Sequence, residues 1–99
     1  MTDRYILING KAKPEPGLLR WAIWFETADR KIEVTKTDKY IVSTVFLGLD
    51  HSFGEGPPLI FETMVFSQTN DEQDMNRYST LEEAKAGHAE MVKKWIGEL

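Results

Sequence analysis

The chain has 99 residues, 41% of them hydrophobic and 28% charged, enough to bury one core but too few for two domains, and too apolar for a disordered segment. It contains no cysteine, which excludes a disulfide framework, thiolate nucleophiles and cysteine-ligated zinc, and suits a reducing cytoplasm. The net charge of −4 is unevenly spread: residues 1–50 hold eight Lys/Arg against seven Asp/Glu, and residues 51–99 hold four against nine. An acidic half of this kind repels phosphate and argues against nucleic-acid binding.

The opening "MTDRYILING" carries Asp3 and Arg4 around a brief apolar run, so it does not read as a signal peptide. No window approaches the ~20 apolar residues of a membrane span. A single domain over residues 1–99 is expected, without a membrane. "RYILI" (4–8) predicts a strand closed by the turn pair Asn9-Gly10, and "KAKPEPG" (11–17) a loop whose Pro16 suits the first turn of a helix over about 16–30. On that helix Leu18, Trp21, Ala22, Phe25 and Ala28 form a core stripe, whereas Leu19 and Ile23 point away from it and Trp24 lies at its margin. A helix apolar on most of its circumference needs cover on more than one side, either from wrapping strands or from a second subunit. The simpler cover for so short a chain is a dimer, with Leu19, Ile23 and Trp24 as the expected interface.

"KIEVT" and "YIVSTVFLG" predict two strands joined at Thr37-Asp38-Lys39, and "LIFETMVF" (59–66) a third. "SQTNDEQDMNRY" reads as a polar loop. The last helix is expected over about 80–96, capped by Ser79 or Thr80 with Glu82 or Glu83 three residues on, and with Lys93 and Lys94 in its last turn. The order β-α-β-β-β-α implies an α+β fold, a mainly antiparallel four-stranded sheet with both helices packed on one face.

Two histidines and several carboxylates carry what chemistry the sequence offers. His88 falls in the middle of the apolar stripe Leu81, Ala84, Met91, Val92 and Trp95, so it is either a hydrogen-bonded core imidazole or the wall of a pocket. Gly87 beside it admits close approach to the backbone. Glu62 alternates with Ile60, Met64 and Phe66; if that row is buried it needs a partner in His88, Arg77 or a hydroxyl, or a proton. The stretch "DHSFGEGPP" (50–58) is longer than a turn requires, and its glycines and prolines shape a projecting loop carrying Asp50, His51 and Phe53. Asp50, His51, Phe53, Glu62, Arg77 and His88 are the candidate ligand-binding residues. An enzyme would draw on His51, Asp50 and Glu62, with His88 alongside. No metal, no cofactor and no catalytic motif such as HExxH, GxSxG or a phosphate-binding glycine loop is indicated.

The runs "VSTVFLGLDHSFGEGPPLIFETMVF", "RYSTLEEAKAGHAEMV" and "LLRWAIWFETADR" resemble a family of small accessory proteins encoded by tailed bacteriophages and prophages. The family brings no assigned chemistry. What the resemblance implies is a protein acting in the cytoplasm of an infected bacterium, in counter-defence or host takeover. Three functions follow as expectations. The first is a homo-oligomeric binding protein that sequesters a small, nucleotide-type signalling ligand or occludes a host protein through the 50–58 loop. The second is a small metal- or histidine-dependent hydrolase, and the third a structural piece of phage machinery.

Overall fold

The computed structural model describes residues 2–52, 54 and 56–97. The chain opens with a hairpin, β1 (Tyr5–Ile8) and β2 (Lys11–Pro14), followed by helix α1 (Leu18–Thr27), strands β3 (Lys31–Lys36), β4 (Tyr40–Phe46), β5 (Phe61–Ser67) and β6 (Glu72–Tyr78), and helix α2 (Leu81–Trp95). The fold is α+β, and β3, β4, β5 and β6 form an antiparallel four-stranded sheet in sequence order.

The sheet's membership differs from expectation in one respect: β6, drawn from the polar run read as a loop, takes the fourth place, and β1 pairs instead with β2. The loop assigned to residues 11–17 thus begins as a strand. Asn9 and Gly10, both at positive φ (51° and 80°), make the tight turn that glycine and asparagine tolerate in two-residue hairpins. Tyr5, Leu7 and Ala12 of this hairpin pack against the core.

One face of the sheet is covered. Val42, Thr44 and Phe46 of β4 and Phe61, Thr63 and Val65 of β5 are all buried, since alternate residues of a strand share a face. Helix α2 lies along this face and buries Ala84, His88 and Met91. Its start is set by a capping box in which Thr80 Oγ1 accepts from the Glu83 amide (3.1 Å) while Glu83 accepts from the Thr80 amide (3.1 Å), so two unpaired amides are satisfied at once. Helix α1 reaches the same face at one point, where the Trp24 ring meets Phe46 edge-on at 5.6 Å. It otherwise rests on the hairpin and on Gly48, with Trp21 Nε1 donating to the carbonyls of Tyr5 and Gly48, both at 3.0 Å.

Trp24 therefore packs inward, partly buried against the core. Leu18, expected in the core stripe, is 63% exposed instead. The helix begins one turn's fraction later than its apolar pattern suggested, at Leu18 after the N-cap Gly17, and its inward direction is set by the two large indoles rather than by the leucines.

Gly87 receives the Tyr78 side chain. A Cβ on Gly87 would overlap the Tyr78 ring and hydroxyl. Alanine in place of a mid-helix glycine ordinarily gains up to ~1 kcal/mol. Here Gly87→Ala is expected to lose about 1–3 kcal/mol through overpacking, a reversal of sign that urea unfolding measures directly. The Tyr78 hydroxyl is buried without a hydrogen-bond partner among the described residues, so Tyr78→Phe is expected to raise stability by about 1 kcal/mol in the same assay.

Candidate functional site

The ribbon formed by β4 and β5 does not stop at Phe46 and Phe61. The Leu47 amide donates to Ile60 (2.7 Å), and the His51 amide to Leu59 (3.0 Å). The chain ahead of β1 braces this ribbon from the side, through the Tyr5 amide on Gly48 (2.8 Å) and the Asp50 amide on Asp3 (2.8 Å). Asp50 closes the loop: its Oδ1 accepts from the amides of Ser52 (2.8 Å) and Leu59 (2.9 Å). Partial burial works against its charge, but the two amides outweigh it and hold the carboxyl below the usual range. Asp50 thus shapes the loop through Oδ1. His51 is exposed beyond this base. Phe53 lies outside the described residues.

Helix α1 stands over the same end of the molecule, joined to the loop base by the Trp21–Gly48 hydrogen bond. At 100° per residue Leu19 and Ile23 fall opposite Trp21, Trp24 and Phe25, and they are 73% and 58% exposed. They make an apolar strip on the solvent side of the helix, and Leu18, on the other side by the same spacing but at the helix start, is 63% exposed as well.

His88 belongs to a different place. It is 1% exposed, with Nδ1 2.7 Å from Thr44 Oγ1, Nε2 2.9 Å from Thr35 Oγ1, and Glu33 Oε2 at 3.7 Å from Nε2. Each ring nitrogen thus meets a threonine hydroxyl, which can donate or accept, and the Thr44 hydroxyl is in turn hydrogen-bonded to that of Thr63. Burial lowers the pKa of His88, and the Glu33 charge opposes this without reversing it. Carboxylate, imidazole and hydroxyl stand in the order of a nucleophile relay. Thr44 and Thr63 are nevertheless fully buried, so no substrate carbonyl can meet either oxygen, and the chain serves as a polar tie between α2 and the sheet. A cleft of about 370 Å³ reaches His88 between Glu33, Thr35, Val92 and Lys93.

Glu62 lies on the other face of the sheet. Thr63 beside it points to His88 through Thr44, so alternation sends Glu62 outward, where Arg77 Nε donates to its Oε2 at 3.0 Å. Its expected alternative partner, His88, is out of reach across the sheet. Asp50, His51, Glu62 and His88 thus do not assemble into one site, and no three His, Asp or Glu side chains converge to hold a metal among the described residues.

Four residues that the sequence did not single out matter to this picture: Thr35, Thr44, Thr63 and Asp74. The threonines sit on the inward side of strands facing His88, which strand alternation alone could have suggested. Asp74 accepts from Lys94 Nζ (2.8 Å) and Trp95 Nε1 (2.9 Å), contacts that hold its carboxyl at about 2 and fasten the end of α2 to β6. The largest cleft described, about 800 Å³, runs between β6 and α2 past Asp74, Tyr78, Gly87 and Met91, on a different element pair from the 50–58 loop.

No family model, curated protein or solved structure matches the chain. Function rests on the geometry. No described helix is long and apolar enough to cross a membrane.

Proposed function

We propose that this chain is a small binding protein that occludes a protein partner through the outer side of α1, with the 50–58 loop leaving the sheet at the same end of the molecule. The observation that carries the reading is the exposure of Leu19 (73%) and Ile23 (58%) directly opposite a packed indole pair. Large apolar side chains on the solvent side of a helix, beside a loop held from its base, are features of an interaction surface rather than of a fold's own needs. The resemblance to phage and prophage accessory proteins supports a host protein as the partner and the infected cell's cytoplasm as the setting. Binding of a small ligand by the same loop has less support, because the two clefts described above are lined by α2 and the sheet. Hydrolysis has less still, since the hydroxyls in line with the imidazole, those of Thr44 and Thr63, are fully buried.

The test is affinity capture from a bacterial lysate with the wild-type chain, Leu19→Asp/Ile23→Asp and His51→Ala side by side, with a thermal melt of each. The double variant is expected to melt within a degree or two of wild type, as surface changes do, and to lose a protein that the wild type retains. His51→Ala is expected to weaken the same capture. A partner held equally by all three chains would move the binding surface elsewhere.

A further inference from the structure

The face of the sheet away from α2 is uncovered, and its residues fall into three cross-strand rows. The register gives Lys31, Val45, Glu62 and Arg77 in the first row, Val34, Ser43, Met64 and Met75 in the middle, and Lys36, Ile41, Phe66 and Glu72 in the last. Six of these twelve are large apolar residues, and Val34 and Met75 are 49% and 38% exposed. Glu62, only 9% exposed, is neutralised by Arg77 within the chain. Lys36 and Glu72, at opposite edges of the last row, are exposed and form no ion pair among the described residues.

We infer that this open face is where a second copy of the chain docks, sheet against sheet, with a two-fold axis parallel to the strands. That symmetry lays β3 of one copy over β6 of the other. Val34 then faces the partner's Met75, Ser43 faces Met64, and Ile41 faces Phe66, so the apolar centre is matched to itself. Lys36 meets the partner's Glu72, and by symmetry the same pair forms again at the other edge. Packed sheets lie ~10 Å apart, a gap that a lysine and a glutamate side chain bridge together. In the first row Lys31 meets the partner's Arg77, whose charge its own Glu62 already offsets.

The size of the face sets the strength. Four strands ~4.8 Å apart and seven residues rising ~3.4 Å each give roughly 450 Å² in plan per copy. The pair therefore covers roughly 900 Å² before side-chain relief is counted, close to the ~1,000 Å² at which specific interfaces begin. An area at that threshold belongs to weak, transient association. The dimer is independent of the partner-binding reading, because it leaves α1 and the 50–58 loop free.

Sedimentation of the 99-residue chain over about 1 to 500 μM tests it. The wild type is expected to show a monomer–dimer equilibrium with Kd on the order of 10 μM. Lys36→Glu and Glu72→Lys each place like charges together twice and are expected to raise Kd by about tenfold or more. The double exchange Lys36→Glu/Glu72→Lys restores opposite charges and is expected to return Kd to within about twofold of wild type. Leu19→Asp is expected to leave it unchanged. A wild type that stays monomeric throughout, a Kd indifferent to both single reversals, single reversals that the double exchange does not rescue, or a dimer lost in Leu19→Asp would each overturn the inference.

Discussion

Replacing Phe46 by alanine is expected to lower the unfolding free energy by about 3–5 kcal/mol, the range for truncating a fully buried aromatic. Phe46 is 0% exposed and meets two rings edge-on, Trp24 at 5.6 Å and Phe61 at 5.2 Å. It is the point at which α1 is held to the sheet, so the cavity opens where two layers meet and neither can close it alone. Against a total stability of about 5–15 kcal/mol for a domain of this kind, the loss approaches unfolding. Leu18→Ala, one turn from Trp21 but solvent-exposed, is expected to change stability by no more than ~0.5 kcal/mol. Urea titration of the two variants together separates the packed side of α1 from its free side.

The second large effect is expected at His88. His88→Ala removes an imidazole held between Thr35 and Thr44 and leaves the inner hydroxyls of Thr44 and Thr63 without it, so a cavity and a broken polar tie add, at about 3 kcal/mol or more. The same residue makes the wild type sensitive to acid. Its pKa is lowered in the fold, burial being the main cause, from an unfolded value of 6.5. Between the folded and unfolded values the unfolded chain binds the additional proton, so stability rises with pH in that window. The contribution of neutral His88 is complete above about pH 6.5 and declines as pH falls below it. Glu33, 3.7 Å from Nε2, moderates the decline, and Lys93 lines the same cleft; β4 and β5 offer the ring only the uncharged Thr44 and Thr63. Melting temperatures between pH 7.5 and 5 are expected to fall for wild type and to stay level for His88→Gln, which can still hydrogen-bond but does not titrate.

Much of the fold could be read from the order of residues because its strongest signals are local. The apolar alternation of "YIVSTVF" and the capping sequence Thr80 to Glu83 each follow from rules that act within a few residues. β6 escaped notice for a physical reason. It lies at the edge of the sheet, and its inward positions hold Asp74 and Asn76, paired in register with Val65 and Thr63, so no apolar alternation marks it. An inward aspartate is tolerated there because Lys94 and Trp95 meet it. β2 offers only Ala12 to the core and is equally quiet.

The candidate residues divided along the same line. That His88 lies on the buried stripe of α2 was legible from its spacing. What it meets was not, because Thr35, Thr44 and Thr63 come from three other strands and are brought together only by register. Asp50 stood out as chemistry, and the structure also shows it clasping the loop, since a carboxylate flanked by glycine-rich chain is as well suited to bind backbone amides as to bind a ligand. Trp24 illustrates how a helix's apolar pattern fails when both of its sides are hydrophobic. The larger rings went inward, and Leu19 and Ile23 were left outside.

That outside strip is the centre of the functional account, and hydrogen–deuterium exchange of the chain, alone and bound to the protein it captures, tests it most directly. Protection is expected to rise along residues 18–27 and 48–52, with the β6–α2 cleft unchanged. Protection gained instead along residues 74–78 and 83–94, with α1 exchanging as it does in the free chain, would contradict the account and place the binding surface in that cleft.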